Sequence, residues 1–226
     1  MEDALYQIAI WAIPVLLAIT LHEAAHAWVA DKLGDDTARR LGRVSFNPIR
    51  HIDPFGTVIL PALFIASGSP FMFGYAKPVP VNFGRLRRPK RDMVLVAAAG
   101  PAANLLIAVA ASLLWHLYSV MPEAAIEFWV EMITKAIVFN VMLCVFNLLP
   151  LPPLDGGRIM TGLLPMPLAI RFAKIERYGF FILIGLMIIL PLMGQQVGLS
   201  LNPIAWVLVP IVNAVLWVLD LVLVLG

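Results

Sequence analysis

Apolar residues run almost unbroken through five stretches of the chain, near 5–30, 93–119, 132–150, 178–193 and 203–224, and polar residues gather between them. Each stretch reads as a bilayer-crossing helix, since about 20 residues span the hydrocarbon core. The fourth is short and extends back into 172–177. A sixth run, Phe55 to Phe73, is broken by Pro61, Gly68, Ser69 and Pro70; it either spans or enters and leaves by one face. There is no internal repeat, no low-complexity segment and no stretch large enough for a soluble appendage. The pattern predicts an all-α polytopic membrane protein of five to six transmembrane helices, folded as one membrane-embedded domain over 1–226.

Composition agrees. Hydrophobic residues make up 61% of the chain and the mean hydropathy is +0.90, more than one soluble core absorbs. A single cysteine, Cys144, excludes an intramolecular disulfide and any multi-cysteine metal site. The first apolar run is not a signal peptide. Its flank carries Glu2 and Asp3 rather than lysines, and it is too long for a leader's apolar core.

The distribution of charge sets the orientation. Lys32, Arg39, Arg40, Arg43 and Arg50 lie in the first connection. Lys77, Arg85, Arg87, Arg88, Lys90 and Arg91 precede the second long run, and Arg158, Arg171, Lys174 and Arg177 lie between the third and fourth. The connection at 120–131 carries Glu123, Glu127 and Glu131 instead. The positive-inside rule then puts the basic connections in the cytoplasm and the N-terminus outside, as for a multi-pass cell-membrane protein. With cytoplasm on both sides of 55–73, that run is expected to be re-entrant, its backbone covered by protein or lining a wet cavity. A plain sixth crossing is the alternative.

The chemistry starts at His22-Glu23-Ala24-Ala25-His26. The i, i+4 spacing puts both imidazoles on one helix face, within reach of one ion, with Glu23 beside them to take a proton from water the metal polarises. Chance gives about 0.002 such patterns in a chain of this composition, and ionisable groups inside a membrane helix are costly unless functional. A catalytic zinc takes three protein ligands and keeps one position open. Asp155, in Asn147-Leu-Leu-Pro-Leu-Pro-Pro-Leu-Asp155-Gly156-Gly157, is the candidate third ligand. An aspartate beside two glycines is often only a turn, but the charge-derived topology brings this one to the same leaflet as His22 and His26.

Together these elements resemble the site-2 protease family of intramembrane zinc metalloproteases, peptidase family M50, in a short form without PDZ or CBS domains. Gly100-Pro101-Ala102-Ala103-Asn104 matches that family's GPxxN element. The segments Asn47 to Gly56 and Gly74 to Val81 resemble those of its short members. The likeness covers 10–165. It implies Zn2+ as cofactor, His22, His26 and Asp155 as its ligands, Glu23 as general base, and Asn147 as a residue that helps hold the substrate backbone. A catalytic core over about 5–160, with accessory helices over about 172–224, is expected. The likeness also implies as substrate a membrane protein or peptide in the lipid bilayer, which must unwind locally because helical carbonyls are tied up in i to i−4 bonds. A short β segment near 74–81 on the cytoplasmic side is expected either to pair only with its own neighbours or to pair with the substrate.

Other polar residues read differently. Asn104 either bonds helix to helix or touches substrate. His51, on a basic loop, reads as solvated or interfacial, and His116 as structural. The basic run Arg85 to Arg91 reads as a topology anchor on anionic lipid, with no support for nucleic acid. A metal transporter would show repeats and a path of intramembrane charges. A di-iron oxidase needs more than four histidines, and an inactive scaffold would show a degraded motif. The sequence leaves the oligomeric state open.

Overall fold

The computed structural model describes residues 2–59 and 77–221. Four helices are long and apolar enough to cross a membrane: α1 (Glu2–Lys32), α3 (Pro89–Trp115), α4 (Glu123–Asn147) and α7, which runs from Glu176–Ile184 through a wide π turn at Gly185–Ile189 into Leu190–Gln196. Between them lie α2 (Thr37–Arg40), α5 (Asp155–Leu163) and α6 (Met166–Ala173). The last is α8 (Pro203–Leu219), apolar but 17 residues long. These described residues rise about 26 Å at 1.5 Å per residue, and the chain beyond 221 lies outside the described residues. Where five or six crossings are expected from the sequence, four helices of spanning length are therefore seen among the described residues.

The ends of these helices follow local chemistry. Gly34, at φ 114°, adopts the left-handed conformation that stops α1. Pro89 and Pro203 open α3 and α8 at positions where a missing N–H costs nothing. Asn202 caps α8 by accepting from the N–H of Ala205.

The packing is inside out relative to a soluble bundle. Small residues fill the contacts: Ala18, Ala24, Ala27 and Ala30 of α1 and Ala97, Ala108 and Ala111 of α3 are buried, which lets backbones approach closely, as in membrane bundles. Large apolar side chains such as Leu106, Phe181 and Trp217 point outward. Helix α3 is central and packs on α1, α4 and α5. Helix α8 leans on α4 around Val141, Val145 and Leu219.

The re-entrant run expected at 55–73 falls mostly outside the described residues; Pro54–Ile59 forms one π-helical turn. Of the short β segment expected near 74–81, residues 77–81 are described, and they run as irregular chain rather than as a strand. Pro78 and Pro80 supply no N–H for a ladder. This chain is lashed beneath the end of α1 instead. The buried Asp35 carboxylate accepts from the N–H of Asn82 and from Thr37, and Asp36 pairs with Arg85 as well as Arg40. The Arg43 guanidinium donates to the carbonyl of Lys77. His51, expected to be solvated or interfacial, is 1% exposed. Its Nε2–H donates to the carbonyl of Ser45 and its own carbonyl accepts from Lys77, so it knits this loop together.

Candidate metal centre

Two imidazoles one turn apart on α1 face the start of α5. His22, His26 and Asp155 are all buried. The two Nε2 atoms are 3.1 Å apart, and the Asp155 Oδ2 lies 3.2 Å from that of His22 and 3.3 Å from that of His26.

The tautomers follow from what lies behind the rings. His26 Nδ1 is 2.7 Å from the carbonyl of Val96, which can only accept, so the hydrogen is on Nδ1. His22 Nδ1 is 2.6 Å from Asn104 Oδ1. That atom is the oxygen because the Asn104 amide nitrogen faces the carbonyl of Ala18 (3.2 Å) and Oδ1 of Asn140 (2.9 Å). Asn140 is oriented in turn by donating to the carbonyl of Ala136 (2.8 Å). With both hydrogens on Nδ1, both Nε2 atoms present bare lone pairs. The Asp155 Oδ2 accordingly has no hydrogen-bond donor despite its burial. Its place in the first turn of α5 favours the ionised form.

Three electron-pair donors, one of them anionic, thus converge where no donor hydrogen meets them, an arrangement that repels itself unless a cation joins it. Donors about 2.0–2.1 Å from a tetrahedral zinc are about 3.3 Å from one another. The observed 3.1, 3.2 and 3.3 Å match that spacing, and two imidazoles with one carboxylate are a donor set suited to zinc. The residues fit the ion.

Close approach depends on glycine. A Cβ at Gly100 would overlap Nε2 of His26 and both Cε1 and Nε2 of His22, so only glycine lets α3 pass this close to the metal-facing edges of the rings. Gly156 and Gly157 fold tightly against the carbonyls of Leu148 and Leu149 and the backbone of Pro152, which turns the chain from α4 into α5 and presents Asp155.

Glu23 is half-buried beside the pair. Its Oε2 accepts from the N–H of Val79 at 2.7 Å, so the lashed segment steadies the carboxylate. Asn147 ends α4 and donates back to the carbonyl of Leu143. Asn104, which the sequence left between helix bonding and substrate contact, is fully buried and committed to His22, Ala18 and Asn140. That position is behind the imidazole and leaves nothing to offer a substrate. Sequence reasoning passed over Asn140, Gly100 as the residue against the Nε2 edges of the rings, and the Val79 N–H. A lone amide in the apolar run 136–146 was the available signal for Asn140.

The profile of peptidase family M50 matches residues 115–190. Among curated proteins, the chain is 40% identical over 180 residues to "Putative zinc metalloprotease YwhC" of Bacillus subtilis (strain 168), covering 78% of each chain. It is 31% identical over 173 residues to Rip2 of Mycolicibacterium smegmatis, which carries the same description, covering 76% of this chain and 64% of that one. Rip2 of Mycobacterium tuberculosis (strain H37Rv) is 33% identical over 145 residues, covering 62% of this chain and 52% of the relative. No solved structure matches.

Proposed function

Taking as premise that this chain belongs to peptidase family M50, the site-2 protease family, we propose that it is a zinc metallopeptidase that hydrolyses peptide bonds of membrane proteins within or next to the bilayer. The observation that carries the proposal is the meeting of three metal-ligating atoms, Nε2 of His22, Nε2 of His26 and Oδ2 of Asp155, at 3.1 to 3.3 Å.

His22, His26 and Asp155 hold the zinc. The ion supplies Lewis acidity and makes water nucleophilic at neutral pH. Glu23 is the general base. With Oε2 occupied by the Val79 N–H, Oε1 is the atom free to take a proton from the attacking water. As the C–N bond breaks, Glu23 passes that proton to the leaving amine, which restores the carboxylate. The half-buried position of Glu23 suits a group that must meet both water and substrate. Asn147, half-buried at the end of α4, is our candidate for holding the substrate backbone. A substrate helix must unwind locally to free its carbonyl.

Residues 5–160 form the catalytic part and 172–224 the accessory helices of one membrane domain. Close packing of Gly179 on the Pro152 carbonyl supports their union. The basic connections favour an outside N-terminus and an active site towards the cytoplasm.

The test uses purified protein in liposomes with single-pass membrane substrates, with and without a zinc chelator. Wild type should cleave and the chelator should stop it. Glu23→Gln should keep stoichiometric zinc and lose cleavage by about 10²–10⁴-fold. Wild-type cleavage by that variant would remove Glu23 from its role, and cleavage unaffected by zinc removal would remove the metal.

A further inference from the structure

We infer that Asn140 is a positioning residue of the metal centre, acting through Asn104 to hold His22 in the tautomer whose Nε2 can bind a metal. The inference rests on the zinc reading above.

Four hydrogen-bonding groups in series connect three helices. The Ala136 carbonyl accepts from the Asn140 amide nitrogen. The Asn140 Oδ1 accepts from the Asn104 amide nitrogen, and the Asn104 Oδ1 accepts from Nδ1–H of His22. Each link has a direction, and the direction originates in a helix carbonyl that cannot donate. Asn104 and Asn140 are both 0% exposed, so bulk water does not reach them, and an unmatched amide in this surrounding is costly.

Reversing the Asn104 amide would set its oxygen against both the Asn140 oxygen and the Ala18 carbonyl. It would also turn its NH2 group towards His22 Nδ1. The ring would then carry its hydrogen on Nε2, where the metal must bind. Two acceptors hold Asn104 in the productive sense, and Asn140 is one of them. His26 has no such device, because a backbone carbonyl, that of Val96, fixes its ring directly. The two imidazoles are therefore unequal. One is set by the main chain, the other by two side chains that mutation can reach.

The test measures zinc affinity by chelator competition on the purified full chain, with thermal stability recorded alongside. Asn140→Leu removes the acceptor, and Asn140→Thr keeps a bond back to the Ala136 carbonyl but is too short to reach Asn104. Both should lower zinc affinity by about tenfold, the low end for an outer partner of a metal-bound histidine. Asn140→Asp keeps an oxygen that accepts from the Asn104 amide nitrogen, so it should restore wild-type affinity. Ser112→Ala removes another buried bond of α3, to the carbonyl of Ala108, and should leave zinc affinity unchanged.

In an Asn104→Asp background the carboxylate accepts from His22 unaided, so Asn140→Leu should cost no further affinity. Nitrogen NMR of 15N-histidine protein without metal, at a pH where the rings are neutral, should show the His22 hydrogen on Nδ1 in wild type and a mixture in Asn140→Leu. Wild-type zinc affinity in both Asn140→Leu and Asn140→Thr overturns the inference. So does an undiminished loss in the Asn104→Asp background, or a wild-type His22 with its hydrogen on Nε2. If wild type binds no zinc, or Asp155→Ala binds it equally well, the zinc reading fails instead, and the ring spectrum still decides for or against the relay.

Discussion

Around His22, His26 and Asp155, helices α1, α3 and α4 turn polar atoms inward and pair nearly every one. In α7 and α8 the inward-facing buried residues among those described are Gly179, Gly194 and Leu219, and large side chains such as Phe181 and Trp217 face out. Both regions are rich in apolar residues, yet they use them differently. A low-dielectric interior makes an unpaired polar atom expensive, so each pairing near the histidines fixes a rotation or a tautomer. Contacts between apolar faces fix much less, because one apolar surface exchanges for another. Geometric precision in this bundle should therefore be concentrated where its polar atoms are.

Four substitutions sharpen or break that contrast. Asp155→Ala removes one of the three converging donors and should have the largest effect. Zinc affinity should fall by more than ~100-fold, beyond the cost of losing an outer partner, and cleavage should disappear. Retained stoichiometric zinc in this variant would show that the three do not act together. Gly100→Ala places a methyl against both rings. It should lower zinc affinity by ~10–100-fold while the helical circular dichroism stays unchanged.

Gly179→Ala adds a methyl where α7 touches the Pro152 carbonyl. Overpacking of this kind costs ~1–3 kcal/mol, so thermal stability should drop, with cleavage reduced less than in Gly100→Ala. A larger loss of zinc than of stability would mean that α7 helps set Asp155. Gly185→Ala lies in the same helix with nothing within 4 Å of the added carbon. It should leave cleavage unchanged and raise stability by ~0.5–1 kcal/mol, the smallest effect of the four.

Helical periodicity was enough to place His22 and His26 on one face, and in the structure their rings are 4.7 Å apart. The pairing of Asp155 with them was legible from charge, because helix direction alone brings residue 155 back to the leaflet where α1 ends. Some apolar runs were legible to within a few residues, as in 93–119 against Pro89–Trp115, but α4 starts at Glu123, nine residues before the run expected at 132, because the helix continues through Glu123, Glu127 and Glu131, which read as a connection.

The partners of Asn104 were also out of reach. They depend on how α1, α3 and α4 are rotated about their axes, and helices apolar on every side carry no stripe from which to read that rotation. His51 misled for the opposite reason. Its basic neighbours suggested water, but the ring satisfies the Ser45 carbonyl inside the loop.

Pro78 and Pro80 flank Val79, so one amide hydrogen is all that this tripeptide can give, and Glu23 receives it. A survey that trims side chains one at a time is blind to such a contact, because every shortened residue at position 79 keeps the same main-chain hydrogen. Sensitivity would surface only with an imino acid or an ester linkage at that position, and an inventory of important residues built from alanines would omit the group that steadies the carboxylate.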